Sequence, residues 1–207
     1  MLFRSHSMYA VTVPGAVDGC AMLLEKCGTM PMADVLKPAI FYAENGFPVS
    51  PQISASWQAS VPLLSYCPDT LQTYLIDARA PKPGEIFKNV NLARTLRLIG
   101  EGGRDAFYRG QIAEKIVKFS TENGGLLAMK DFINHTSDWV EPISVNYRGY
   151  DICEIPPNGQ GIAALMALNV VSEFDISAMG HNSTESLHCL IESMKLSFSD
   201  LYEYITD

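Results

Sequence analysis

The chain has 207 residues, 47% hydrophobic and 18% charged, enough apolar material for a core that buries roughly 70% of the unfolded surface, which excludes a disordered chain. A formal net charge of -8 with no basic cluster repels phosphate backbones and anionic lipid, so nucleic acid is excluded as a partner. The longest apolar stretch, Ile162 to Val171, is interrupted by Asn169 and falls short of the roughly 20 residues that span a bilayer, so no membrane span is expected.

The N-terminal Met1-Leu2-Phe3-Arg4-Ser5-His6 lacks a continuous apolar run followed by small residues, so it is not read as a signal peptide and the sequence carries no readable address. Five cysteines, Cys20, Cys27, Cys67, Cys153 and Cys189, are odd in number and form no C-x-x-C pair. That argues against a zinc site or a complete disulfide framework and leans toward a reducing compartment. They are read as small buried thiols.

In chain order, Tyr9 to Val13 alternates and is β-branched, which predicts a short strand stopped by Pro14-Gly15. Val17, Cys20, Ala21 and Leu24 recur at helical spacing, with Gly28 as a left-handed cap. Pro31 suits the first turn of a helix carrying Val35, Leu36, Ala39, Ile40 and Ala43 to Asn45-Gly46, and Pro38 should break or kink it. Ser50-Pro51 starts a helix through Ile53 and Trp57 that loosens around Pro62 and Pro68. Pro81-Lys82-Pro83-Gly84 reads as a stiff surface loop. Asn89 caps a helix bearing Leu92, Leu96 and Ile99, ended by Gly102-Gly103; another begins near Gly110, presents Ile112, Ile116 and Phe119, and stops at Asn123-Gly124-Gly125.

The period then changes. Ile143, Val145 and Tyr147 alternate with polar residues, Arg148-Gly149 turns the chain, and Tyr150, Ile152 and Ile155 continue, which predicts a β-hairpin. Gln160 to Phe174 is apolar nearly all round, the mark of a helix buried at the centre of a fold. Without sheet partners it should expose apolar surface and make the chain poorly soluble or self-associating. Asn182 and Glu185 make a capping-box-like start to a last helix, with Leu187, Leu190, Ile191, Met194, Phe198 and Leu201 on one stripe.

Few residues point to chemistry. Gly159-Gln160-Gly161-Ile162-Ala163-Ala164 fits G-x-G-x-x-A, a pattern that cradles a pyrophosphate at a helix N-terminus. The preceding strand is antiparallel, two prolines enter the turn, and no second parallel strand follows, so a tight structural turn is favoured over a dinucleotide site. His6, His135, His181 and His188 have no ligand spacing, and no metal is implied. Glu101, Glu114, Glu122 and Glu192 read as solvated charge. No G-x-S-x-G elbow is present, and spacing alone does not assemble a Ser-His-Asp triad.

An ordered series of segments carries more. Tyr9-Ala10-Val11-Thr12-Val13-Pro14-Gly15-Ala16-Val17-Asp18-Gly19 resembles the A-V-P-G-x-V-x-G segment of gamma-glutamyltransferases. Similar matches follow in the family's order at Pro38-Ala39, Asn45-Gly46-Phe47-Pro48-Val49, Asn91 to Leu96, Phe107-Tyr108-Arg109-Gly110, Asn123-Gly124-Gly125-Leu126 and Tyr147-Arg148-Gly149-Tyr150. Pro156-Pro157-Asn158-Gly159-Gln160-Gly161, Leu168-Asn169, Phe174-Asp175, Met194 to Asp200 and Glu203-Tyr204 complete it.

The resemblance implies an α+β fold, mostly helical with a β-hairpin, within the four-layer αββα N-terminal-nucleophile architecture. Residues 8–207 are read as a large-subunit segment, a single incomplete domain, and 1–7 as non-native. Members cleave gamma-glutamyl amides such as glutathione through a threonine that self-cleavage of the precursor exposes at the start of a small subunit, and pass the acyl group to water or an amino acid. No D-T-T-H-like segment occurs here; Asp69-Thr70, the sole Asp-Thr pair, is followed by Leu71 and is given no role. The implied catalytic residues in this chain are therefore none, the cofactors none, and the partners a small gamma-glutamyl or related amide and a catalytic small subunit from the same precursor. Asn158, Gly159, Gln160 and Gly161 are the candidate substrate-binding loop. That turn departs from the serine-rich P-P-P-S-S-G-G form of glutathione-cleaving members, so an acylase-like or oxamate-amidohydrolase-like parent, or a non-catalytic scaffold subunit, stays open.

Overall fold

A computed structural model describes residues 7–205. They form two compact units, one ending at Ser137 and the other beginning at Asp138. The chain is mostly helical with two small two-stranded antiparallel sheets, an α+β arrangement.

The first unit holds α1 (Ala16–Cys27), α2 (Met32–Asn45), β1 (Phe47–Pro48), α3 (Pro51–Leu64), α4 (Pro68–Tyr74), β2 (Ile86–Phe87), α5 (Val90–Tyr108), α6 (Gln111–Glu122) and α7 (Met129–Ile133). Its core gathers Ile99, Phe107, Tyr108, Ile112, Ala113 and Phe132, with Val13, Val17, Met32 and Leu36 packed against them. Three of the expected caps form. Ser50 accepts from the Ile53 N–H at 3.3 Å, Asn89 Oδ1 from the Leu92 N–H at 2.9 Å, and Gly46 turns the chain at φ 88° after α2, each meeting backbone groups that a helix end leaves unpaired.

Several expectations are corrected. Tyr9 to Val13 is no strand: Met8–Ala10 is a short 3-10 turn and Val11 is extended, with no strand partner among the described residues. Gly28 is extended at φ -79°; it is needed there because a Cβ would stand 2.5 Å from the Leu24 carbonyl oxygen. Pro38 does not break α2, and α3 runs through Pro62 to Leu64. The expected end at Gly102-Gly103 holds: Gly103 leaves helical geometry at φ 61°, ψ -152°, and what runs on to Tyr108 is a second, short helix across that kink.

The loop at 81–84 is only partly at the surface. Pro81 is fully buried, and its carbonyl accepts from the buried Ser54 hydroxyl at 2.7 Å. Glu85 closes the loop by taking both guanidinium nitrogens of Arg79 at 2.7 and 2.9 Å and the Lys82 N–H at 2.7 Å. Those bonds, Arg79's first, pull its carboxyl down to about 2. The cysteines are not the buried thiols expected: Cys20, Cys27 and Cys153 are exposed, Cys67 and Cys189 half-buried, and all are free.

The second unit is β3 (Ile143–Tyr147), β4 (Tyr150–Glu154), α8 (Gly161–Ser172) and α9 (Thr184–Tyr204). The hairpin pairs Ile143 with Glu154 and Tyr147 with Tyr150. Arg148 and Gly149 both take positive φ, 54° and 90°, the turn whose twist suits two-residue hairpins. Arg148 also donates to the Ser177 hydroxyl and the Phe174 carbonyl, both at 3.2 Å. α8 packs on α9 and on both strands, burying Ala163, Leu165, Ala167 and Val171.

On α9 the apolar stripe is buried only at its end, where Leu201 is in the core and Phe198 is half-buried. Leu187, Leu190, Ile191 and Met194 are 41–55% exposed, whereas Ser186, Ser193 and Ser197 are at most 3% exposed. Small side chains let α8 and α9 approach closely, and each hydroxyl is satisfied on its own helix. Ser193 donates to the Cys189 carbonyl at 2.8 Å and Ser197 to that of Ser193 at 2.9 Å, so burial leaves no polar atom unpaired. The exposed apolar surface expected for the helix after the glycine turn lies instead on α9. Its cap also shifts by one: Ser183 accepts from the Ser186 N–H at 3.1 Å, while Asn182 turns at φ 53°.

A bulky residue at a buried serine should therefore be worse than a polar residue on the apolar stripe. Ser193→Leu is expected to destabilise the second unit by about 1–3 kcal/mol through overpacking, and Leu190→Ser by less, as read from urea unfolding midpoints. Equal losses, or a stabilised Ser193→Leu, would contradict the buried-serine interface.

Candidate functional site

The glycine turn that the sequence singles out joins the end of β4 to the start of α8. Asn158, Gly159 and Gln160 are exposed, and Gln160 is the N-cap without a side-chain capping bond. A Cβ at Gly159 would meet nothing within 4 Å, but one at Gly161 would stand 2.5 Å from Glu154 Oε2 and 2.9 Å from Glu154 Cβ. Gly161 is thus required by close packing against Glu154. This carboxylate at the opening of α8 lies where the dinucleotide reading would seat a pyrophosphate, and two anions in one place repel. Asn158, Gly159 and Gln160 thus form an exposed stretch that leads into α8, and Gly161, half-buried, is the first residue of that helix.

The most developed polar cluster lies elsewhere, in the first unit. Asp18 in α1 is 2% exposed. Its Oδ1 accepts from Arg104 Nε and its Oδ2 from the Ser137 N–H, while Arg104 Nη2 donates to the His135 carbonyl. The buried Tyr108 hydroxyl donates to the Pro14 carbonyl at 2.6 Å and accepts the Asp18 N–H at 3.2 Å. The His135 ring stacks on Tyr108 with centroids 5.1 Å apart, and the Arg104 guanidinium sits 4.9 Å over the same ring. Burial pushes the Asp18 carboxyl up, but hydrogen bonds from Ser137 and the Arg104 guanidinium outweigh it and hold it below the ordinary range. Burial pushes the Tyr108 phenol up.

Serine, histidine and aspartate meet here, but in the wrong connectivity for a triad. A base must stand between nucleophile and acid. Here Ser137 bonds Asp18 directly, and His135 Nε2 is 3.8 Å from Asp18 Oδ2, buried and without a hydrogen-bond partner. The cluster fastens the Pro14-Gly15 turn, α1, α5 and the segment after α7 to one another. In the sequence Asp18 stands out only as part of the 9–19 segment; the signals that point to its role are an acid among apolar helix positions and an arginine directly after Gly102-Gly103.

The remaining sequence candidates stay apart. His181 and His188 are exposed, and His6 lies outside the described residues. Glu101 and Glu114 are exposed; Glu122 pairs with Lys118 and Glu192 with Lys195. Asp69 and Thr70 lie in the first turn of α4. Among the described residues no group of three or more His, Cys, Asp or Glu side chains could hold a metal ion, and no helix is long and apolar enough to cross a membrane.

A family model described as gamma-glutamyltranspeptidase matches residues 3–207. The chain belongs to the gamma-glutamyltranspeptidase family. It is 41% identical over 198 residues to the glutathione hydrolase-like YwrD proenzyme of Bacillus subtilis, covering 96% of this chain and 38% of that protein. Among solved structures, cephalosporin acylase from Bacillus halodurans superposes with a TM-score of 0.91 at 40% identity, over 99% of this chain and 39% of that one. The gamma-glutamyltranspeptidase of Helicobacter pylori does so with a TM-score of 0.91 at 30% identity, over 97% and 58%. The chain therefore spans between 38% and 58% of the length of these relatives.

The Asp18 cluster is structural in this family member, and its removal should show as lost stability. Asp18→Ala leaves the Arg104 guanidinium and the Ser137 N–H without their acceptor and is expected to cost about 3–5 kcal/mol, the range for breaking a buried ion pair from one side. Tyr108→Phe, which removes the hydroxyl, should cost about 1–2 kcal/mol. Denaturant unfolding checks both. An Asp18→Ala protein within 1 kcal/mol of the parent, on the order of an exposed pair, would contradict the assignment.

Proposed function

We propose that residues 8–207 are a large-subunit segment of an enzyme that cleaves gamma-glutamyl amides, glutathione among them, and transfers the acyl group to water or to an amino-acid acceptor. The observation that carries this reading is the family match along residues 3–207, supported by relatives named as glutathione hydrolase proenzymes. In this reading the nucleophile is an N-terminal threonine of a small subunit made from the same precursor. Its hydroxyl attacks the amide carbonyl, its own α-amine takes the proton, and an acyl-enzyme divides one difficult amide cleavage into two easier transfers. The 207 residues contribute no catalytic side chain, and the assembled enzyme has the four-layer αββα architecture.

The chain's contribution is then positional. The Asn158-Gly159-Gln160-Gly161 loop opens α8, where backbone N–H groups and the helix dipole favour a negative group, but Glu154 already occupies that end. We therefore assign the loop to the rim of a substrate site and give it no role in binding phosphate.

A second reading rests on the turn at 158–161, which lacks the serines of glutathione-cleaving members, and on a cephalosporin acylase structure 40% identical to this chain, level with the 41% of the glutathione hydrolase-like proenzyme. Both support an acyl amide other than a gamma-glutamyl one as substrate.

The two readings separate on a substrate pair. The complete gene product is expected to hydrolyse a gamma-glutamyl anilide with a higher kcat/KM than an N-acyl cephalosporin, and residues 1–207 alone are expected to turn over neither. The reverse preference would select the acylase reading. Hydrolysis by the isolated chain that persists through repurification would overturn the assignment of the nucleophile to another chain.

A further inference from the structure

We propose that Asn158 is a site of spontaneous covalent modification, in which the side-chain amide is lost through a succinimide and replaced by an aspartyl or isoaspartyl residue. The proposal is independent of the activity assigned above.

The reaction needs no partner other than water. The Gly159 backbone nitrogen attacks Asn158 Cγ, so an N–Cγ bond forms and the Cγ–Nδ2 bond breaks. Ammonia leaves with the proton given up by the Gly159 nitrogen. Water then opens the five-membered ring at either carbonyl. One opening gives aspartate; the other gives isoaspartate, in which the side-chain methylene has entered the main chain. A glycine on the C-terminal side favours the attack because it has no side chain to obstruct the approaching nitrogen. A hydrogen bond on either reacting group opposes it by holding nitrogen and carbon apart.

The sequence carries Asn-Gly at 45–46, 123–124 and 158–159, and the structure treats them differently. Asn45 Nδ2 donates to the Phe41 carbonyl at 3.0 Å and the Gly46 N–H to the Tyr42 carbonyl at 2.9 Å. Asn123 Nδ2 donates to the Phe119 carbonyl at 2.9 Å and the Gly124 N–H to the Thr121 carbonyl at 3.2 Å. Both pairs are tied down at a helix C-terminus. At 158–159, neither the Asn158 amide nor the Gly159 N–H has a hydrogen-bond partner among the described residues, both residues are exposed, and nothing lies within 4 Å of where a Gly159 Cβ would stand. Identical dipeptide chemistry is thus restrained twice and free once, and the free copy lies in an unpaired loop, where local opening costs least.

The product bears on the start of α8. A new carboxylate two residues before the N-cap Gln160 adds a negative charge on the approach to α8, whose first residue packs against Glu154. The isoaspartyl form also lengthens the backbone just ahead of Gly161, where a side chain would already meet Glu154. The loop therefore changes charge and shape with the age of the molecule.

The test is peptide mapping by mass spectrometry of the native protein held at mildly alkaline pH, with isoaspartate scored separately, in buffer and in concentrated urea. In buffer, Asn158 should convert severalfold faster than Asn45 and Asn123; in urea the three should converge, because the restraint on the other two is lost. Gly159→Ala, which the open space accommodates, should slow conversion at 158 severalfold without changing the melting temperature. Conversion at Asn158 no faster than at the other two asparagines in buffer, or a rate order unchanged by urea, would overturn the proposal.

Discussion

The first unit depends on one buried carboxylate. Asp18 is removed from water and would be costly there unless its oxygens were hydrogen-bonded. Arg104 and Ser137 each bond one of them, and in doing so they bring α1, the stretch of α5 after Gly103 and the end of the 128–137 segment to one point. The surrounding residues serve the same junction. Tyr108 donates its hydroxyl to the Pro14 carbonyl and accepts the Asp18 N–H, and its ring stacks with His135 and carries the Arg104 guanidinium. Such a cluster adds less net stability than an apolar core of equal volume. What it adds is register: one arrangement of these segments satisfies the charge, and displaced ones leave it bare.

The second unit solves a different problem. Two helices and a hairpin have little volume in which to bury large side chains, and α8 already supplies leucine and valine. α9 answers with serine, whose volume is small and whose hydroxyl returns to its own helix. Close approach of α8 and α9 follows, and Leu187, Leu190, Ile191 and Met194 stay exposed while Leu201 is buried.

Much of this was legible in the sequence and some was not, for reasons visible at particular residues. Caps at Ser50 and Asn89, the stop at Gly46 and the Arg148-Gly149 turn are local chemistry, decided within four residues, and they read correctly. Tyr9 to Val13 misled because alternation implies a strand only if a partner strand exists, which is a tertiary fact. Pro38 and Pro62 misled because a helix held by its neighbours tolerates a lost hydrogen bond that would end an isolated one. The α9 stripe misled because apolar periodicity marks an amphipathic helix without saying which face the rest of the unit covers. The Asp18 cluster joins residues up to 119 apart, and no local pattern announces such a pairing. The candidate loop at 158–161 was located by its glycines, while the role of Glu154 beside Gly161 needed coordinates.

The proposed nucleophile, carried on a small subunit released from the same precursor, is checked by the intact mass and N-terminal sequences of the native gene product. Two chains are expected, the smaller beginning with threonine. A single uncleaved chain, or a smaller chain that begins with any other residue, would contradict it.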